Sequence, residues 1–261
     1  DLFDGLALWI ASYAFAYQIY CDFSGYSDIA VGVARMFGFD LMANFRTPYF
    51  SRSIPEFWNR WHISLSTWFR DYLYIPLGGN RSGRARHFAN LLVVFAVSGL
   101  WHGANWTFLV WGALHGTYVV VHHLVAPACQ RLCSRWPAWL LAVVRISLTF
   151  HLVVIAWVFF RAENLADAHE ILTRMAGVVS GHFAASQLMQ LGLDRSQLMI
   201  GAASVVVLET LQFARGFADE RVAGEWPSTS NLQWLMTGGL IVWIMNFGMF
   251  NRPGQFIYFQ F

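Results

Sequence analysis

An all-α, polytopic membrane protein is the fold class this sequence predicts, and three observations carry the prediction. Of 261 residues, 57% are hydrophobic and only 12% are charged, a balance too apolar for an ordinary soluble domain. The stretch from Phe88 to Gln130 holds no Asp, Glu, Lys or Arg, which leaves room for two helices when one crossing needs roughly 20 apolar residues. Further apolar runs extend from Gly5 to Cys21, Ala138 to Phe160, Gln197 to Ala214 and Trp234 to Phe250, so that about six crossings or re-entrant pieces result.

The first run has no basic flank and no small-residue cleavage site, so it predicts a span and not a signal peptide. It leads into Asp22-Phe-Ser-Gly-Tyr-Ser-Asp28, where Gly25 permits a bend, and a broken or re-entrant segment beside a cavity is expected there. The absence of an initiator Met suggests a piece of a longer chain. Ser53-Ile-Pro-Glu56 has the spacing of a capping box with proline in the first turn, which predicts a helix start. At 100° per residue, Phe57, Trp61, Leu65, Trp68 and Tyr72 then form an apolar row. Asn59, His62, Ser66 and Arg70 form a polar row nearly opposite, walled by Trp58, Phe69 and Leu73, as suits the lining of a wet tunnel.

Between Phe45 and His87 seven arginines face two acids, Glu56 and Asp71. That excess places the loop after Tyr74 on the cytoplasmic side. Asn164 with Asp167 caps a further helix whose stripe Leu165, Ala168, Leu172, Met175 and Val179 predicts an amphipathic connector lying on the bilayer. With no Ser/Pro-rich linker or low-complexity tract between the spans, residues 1–261 are expected to form one membrane domain.

A histidine inside an uncharged apolar run is costly and therefore a functional candidate. His102 lies in Ser98-Gly-Leu-Trp-His-Gly-Ala-Asn-Trp106. On one helix, at i, i+4 and i+7 spacing, Ser98, His102 and Asn105 share a face, with Gly99 and Gly103 admitting a neighbouring helix or a substrate. A neutral imidazole in a desolvated site is a suitable general base. His62, in its polar row, is the second candidate. His115, His122, His123 and His151 lack comparable surroundings and are read as structural or interfacial.

Other chemistries are poorly served. There is no lysine at all, which excludes a Schiff base. No HExxH and no acidic cluster accompanies the histidines, so no metal is expected, and no GxSxG elbow supports a serine hydrolase. Cys21, Cys129 and Cys133 form neither a disulfide framework nor a metal pattern. Arg81, Arg84 and Arg86 follow Gly78-Gly79 without phosphate-loop spacing. They are read first as topological and second as contacts for anionic lipid or donor phosphates. No nucleic-acid partner is expected. Arg145 and Glu209, inside apolar runs, need partners or water.

Several segments together resemble the membrane-bound O-acyltransferase family, in its bacterial alginate O-acetylation branch. They are Tyr20-Cys-Asp-Phe-Ser-Gly-Tyr-Ser-Asp28, Asn44-Phe-Arg-Thr-Pro-Tyr49, Phe57-Trp-Asn-Arg-Trp-His-Ile-Ser-Leu-Ser-Thr-Trp-Phe-Arg-Asp-Tyr72, Pro76-Leu-Gly-Gly-Asn80, Ser98-Gly-Leu-Trp-His-Gly103 and Phe256-Ile-Tyr-Phe-Gln-Phe261. The resemblance implies a helical ring around a tunnel joining the two membrane faces, with His102 as the catalytic histidine and His62 at the second motif position. Family members are longer, so the chain is similar to the C-terminal half of the family fold.

The resulting expectation is an O-acyltransferase of the bacterial inner membrane with no tightly bound cofactor. Acetyl-CoA or an acyl carrier supplies a thioester from the cytoplasm, and the acceptor is a hydroxyl of an exopolysaccharide such as alginate. His102 and His62 would be catalytic, with Asn59, Ser66, Arg70, Ser98, Trp101 and Asn105 lining the substrate path. A conduit that feeds an extracytoplasmic acetyltransferase partner, and D-alanyl transfer to teichoic acid, are the alternatives.

Overall fold

Every regular element among the described residues, 5–177, 195–219 and the pair 238–239, is helical in the computed structural model. Helix α1 (Gly5–Met36) is followed by a 3₁₀ turn at Pro48–Phe50, two short helices α2 (Ile54–Trp58) and α3 (Ile63–Phe69), and a π-helical turn at Arg70–Tyr74. Three long helices follow, α4 (Arg84–His102), α5 (Trp106–Leu132) and α6 (Ala138–Arg161), then α7 (Leu165–Ala176) and α8 (Arg195–Asp219). The chain divides into two compact units, 1–187 and 188–260. The first holds α1 to α7 and both candidate histidines, and α8 belongs to the second. Among the described helices, α5 and α6 are long and apolar enough to cross a membrane. The run Trp234–Phe250 lies outside the described residues except for its glycine pair.

The apolar runs end as helices largely where expected, but three local expectations give way. α1 does not break after Cys21; it continues through Asp22, Gly25 and Asp28 to Met36. A single interior glycine costs only about 1 kcal/mol relative to alanine, and no proline interrupts the segment. Phe23, packed on Phe45 and His62 at 5.0 and 4.6 Å, secures the downstream half.

The second departure concerns residues 53–74. Ser53 does cap α2, its hydroxyl accepting from Glu56 N at 3.2 Å. Glu56 reaches back to Arg52 N at 2.7 Å, one residue before the partner of the standard box. The helix then stops at Trp58, and His62 takes a left-handed conformation, φ 44°, before α3 begins. The cause is the segment Asn44–Thr47, which competes for the backbone. Arg46 N donates to Arg60 O, and Ile63 N to Asn44 O, each at 3.0 Å. The Asn44 Oδ1 accepts from both Ser64 N and Ser64 Oγ, at 3.1 and 2.6 Å, capping α3 in place of a local residue. The expected apolar and polar rows therefore do not persist: Phe57 and Trp61 are buried, whereas Trp68 and Tyr72 are exposed. Asn44→Ala is expected to lower stability by about 1–2 kcal/mol, in the range of a lost helix cap, and a thermal melt of the purified protein checks it.

The third departure is α7. Its Asn164 cap forms as expected, with Oδ1 accepting from Asp167 N at 3.0 Å. Its apolar stripe turns inward from Ala168 onward, however, with Leu165 left exposed. Ala168 and Met175 are buried against Val158, with Leu8, Trp9 and Phe159 packed around them, and Trp9 Nε1 donates to Met175 O at 3.1 Å. The apolar face is thus covered by α1 and α6 and is not left for lipid. Val179 lies outside the described residues.

What sets the site is the antiparallel pair α4 and α5, joined by residues 103–105. Gly99 of α4 lies directly against the backbone of Phe108 and Gly112, and Gly112 against the carbonyl of Phe95. Gly99 and Gly112 let the two backbones meet without side chains between them, and Gly116 continues the close approach against Leu92 and Phe95. α6 packs along α5 and reaches the end of α4 through Phe160, and its interior face carries Val153, Val154, Trp157 and Phe160, all buried. His151 joins α6 to α1: its Nδ1 lies 2.7 Å from Ser147 O and so carries the proton, leaving Nε2 to accept from the Tyr13 hydroxyl at 2.9 Å. The loop before α4 is also pinned. Asn90, buried on α4, donates to Leu77 O and Gly79 O at 3.1 and 3.0 Å, and Gly78 and Gly79 take φ of 100° and 54° to allow it.

Candidate active site

His102 is the last residue of α4, placed where the chain leaves one helix to enter the next. Gly103 follows, and a side chain there would strike the Phe108 ring, with its Cβ 2.6 Å from Cε2. The absence of that side chain lets Phe108 fold in beside the histidine. The imidazole stands edge-on to Trp111 and Phe160, with ring centroids 5.1 and 5.2 Å away, and Phe108 lies at 6.4 Å. It is partly exposed, in a notch with aromatic walls from α5 and α6. Near-perpendicular ring contacts of this kind fix orientation as well as burying area.

His62 reaches the same region from the break between α2 and α3. It is buried, with the Phe23 ring perpendicular at 4.6 Å. Trp101 joins the two histidines: its ring lies 4.9 Å from His102 and 6.4 Å from His62. The main chain thus brings together two histidines 40 positions apart, one at a helix end and one at a left-handed kink.

The other residues expected to line the path are dispersed. Ser98 is buried one turn before His102 on α4, so those two do share a face. Asn105 does not, because α4 has already ended; it caps α5, accepting from Thr107 N at 3.1 Å and donating to Glu163 O at 3.0 Å. Asn59 is exposed at the end of α2, and the Ser66 hydroxyl donates to Trp61 O at 3.2 Å. Arg70 is exposed and forks onto its neighbour Asp71 at 2.7 and 3.1 Å. That hydrogen bond holds the Asp71 carboxyl below its ordinary range. Arg81 is exposed on the loop before α4, and Arg84 and Arg86 are exposed in its first turn. Among the described residues no three His, Cys, Asp or Glu side chains gather as metal ligands would.

Sequence reading did not link Asn44 to His62, and it left His115 as structural or interfacial. Asn44, which holds the kink that presents His62, lies 18 positions upstream of it, and no periodicity links the two. His115 is fully enclosed on α5 beneath Trp111, with Trp58 Nε1 donating to its Nδ1 at 3.3 Å. The four-residue spacing of Thr107, Trp111 and His115, beside Gly112 and Gly116, was the available signal that this face of α5 is packed.

Residues 2–161, which contain both histidines, match the MBOAT, membrane-bound O-acyltransferase family. The chain is 45% identical over 207 residues to the "Probable alginate O-acetylase AlgI" of Pseudomonas syringae pv. tomato, covering 78% of this chain and 37% of that protein. It is 40% identical over 272 residues to the protein of the same description from Pseudomonas putida, covering 97% of this chain and 53% of the relative. A "Peptidoglycan O-acetyltransferase" of Helicobacter pylori is 39% identical over 209 residues, covering 79% and 37% respectively. The chain therefore spans about half the length of these relatives or less. By the match of residues 2–161 to the family and its likeness to these relatives, the chain belongs to the membrane-bound O-acyltransferase family.

Proposed function

We propose that this chain carries the reaction centre of a multi-pass inner-membrane O-acyltransferase. It moves an acyl group, acetyl in the first instance, from a cytoplasmic thioester to a hydroxyl of an exopolysaccharide such as alginate. The observation that carries the reading is His102 at the open end of the α4–α5 hairpin, held edge-on by Trp111 and Phe160 with His62 across Trp101. The relatives' names supply the acceptor class. The helical ring and its tunnel would be completed by the length of the family fold that this chain does not cover.

In the reaction, neutral His102 takes the proton of the acceptor hydroxyl as its oxygen attacks the thioester carbonyl. The tetrahedral intermediate collapses with cleavage of the carbon–sulfur bond, and the thiolate leaves with the proton that the imidazolium returns. Ester and free thiol result, with no net change at the histidine. His62 orients the donor. The aromatic walls keep water from competing for the thioester. Ser98 and Trp101 would border the path next to His102.

Membranes carrying the protein, supplied with acetyl-labelled coenzyme A and alginate oligosaccharide, are expected to place label in alkali-labile esters on the sugar. Label that stays on coenzyme A, and moves neither from an acyl-carrier thioester nor to a partner acetyltransferase, would contradict the reading. At His62 the backbone and the imidazole can be separated. His62→Gly relieves a left-handed φ but removes a buried ring packed on Phe23, so a modest loss of stability should accompany a fall in turnover of roughly tenfold or more through lost positioning. Melting temperature and initial rate measured on the same preparation check this, and unchanged turnover would leave His62 a purely conformational residue.

A further inference from the structure

The reaction as described uses two histidines and leaves a third, buried one without a role. The His115 imidazole lies between Phe57 and Phe95, with ring centroids at 6.2 and 6.4 Å and planes within 7° and 23° of parallel. By shape, phenylalanine would fill such a slot. It could not accept the Trp58 indole N–H, which donates to His115 Nδ1 at 3.3 Å. With Nδ1 accepting, the neutral ring carries its proton on Nε2. That atom is buried and has no hydrogen-bond partner among the described residues, and the same is true of Trp111 Nε1. His115 meets Trp111, one turn earlier on α5, at 5.1 Å and 71°. Near-perpendicular rings bring an edge to a π face, the contact left to such an N–H when no acceptor is present. Trp111 is in turn the wall for His102, at 5.1 Å and 88°. One hydrogen bond and two edge-to-face contacts therefore run from Trp58 through His115 and Trp111 to His102, tying α2 to α5 and to the end of α4.

We propose that His115 is a positioning residue for acyl transfer: by accepting the Trp58 N–H it fixes the Trp111 ring that holds His102 in its productive orientation. The proposal rests on the reading of His102 as the base. His115 acts through Trp111 and not on the substrate, so its loss should lower kcat and leave KM for donor and acceptor nearly unchanged. Misplacing a catalytic group by a fraction of an ångström is costly even when every group remains present.

The test uses the two halves of the imidazole. In His115→Asn the side-chain oxygen occupies the place of Nδ1 and can still accept from Trp58. In His115→Gln the amide nitrogen takes the place of Nε2 and that acceptor is lost. His115→Phe and Trp58→Phe are each expected to lower kcat about tenfold or more, and the double variant should be no worse than either, because both remove one interaction. His115→Asn should recover most of the activity and His115→Gln should not. Should His115→Phe fail to accumulate in the membrane, Trp58→Phe removes the same bond without altering α5 and carries the test. Rescue by Gln in place of Asn, a raised KM at constant kcat, or losses that multiply in the double variant would overturn the proposal. His102→Ala, measured alongside, separates the two claims. Full activity there sinks the reading of His102, whereas an inactive His102→Ala beside a fully active His115→Phe sinks only the role of His115.

Discussion

Replacing Gly99 or Gly112 by leucine is expected to abolish accumulation of the folded protein. At both positions even a Cβ would fall within the contact distance of a backbone carbonyl oxygen, that of Phe108 for Gly99 and that of Phe95 for Gly112. A carbonyl cannot swing aside as a side-chain tip can, so the helices must separate. Alanine alone should cost at least about 1–3 kcal/mol, as overpacking does, and leucine more. The pair of helices that separates is the pair that places His102 against Trp111. Gly32 in α1 serves as the control: nothing lies within 4 Å of a Cβ built there, so Gly32→Ala should be stabilising by roughly 0.5–1 kcal/mol through helix propensity. Melting temperatures of the detergent-purified variants would show the opposite signs. A Gly112→Ala protein as stable as the parent would mean that the two helices do not pack backbone to backbone.

His102→Ala should lower turnover by roughly 10²–10⁴-fold, the range that a positioned general base contributes, with the melting temperature little changed. The side chain is partly exposed at a helix end, which limits the packing lost when its edge contacts to the buried Trp111 and Phe160 are removed. Donor affinity should survive, since nothing in the proposed role of His102 concerns holding the donor. His102→Gln keeps hydrogen-bonding capacity but cannot take a proton at working pH, and it should be as inactive as alanine. A glutamine variant with substantial turnover would show that the imidazole orients the hydroxyl and does not deprotonate it.

The long apolar runs could be read from the sequence because burial in a bilayer is written in local composition: Ala138 to Phe160 is expected as a span and α6 is found there. The charge-free stretch from Phe88 likewise resolves into α4 and α5. Local capping signals were legible as well, at Ser53 and Asn164. What periodicity missed was any place where distant chain takes over the hydrogen bonds of a helix. Asn44 claims Ser64 and Ile63, so an ideal helical wheel drawn through His62 placed Asn59 and Arg70 in one row that does not exist. For the same reason the face shared by Ser98, His102 and Asn105 ended at His102, where Asn105 was needed as the cap of the next helix. The apolar stripe of α7 was visible, but what covers it was not, because lipid and the side of α6 are equally apolar. His102 stood out in the sequence as the unusual residue in its run. Its aromatic setting, and the histidine beneath Trp111, required three dimensions.

The most direct measurement is the acetyl-ester content of the exopolysaccharide made by cells whose chromosomal copy carries His102→Ala, with the variant present in the membrane at parental abundance. Loss of the esters is the result expected of an acyltransferase that works through this histidine. Polymer acetylated to the parental level would contradict it, and would leave the chain a conduit whose chemistry is done by another subunit.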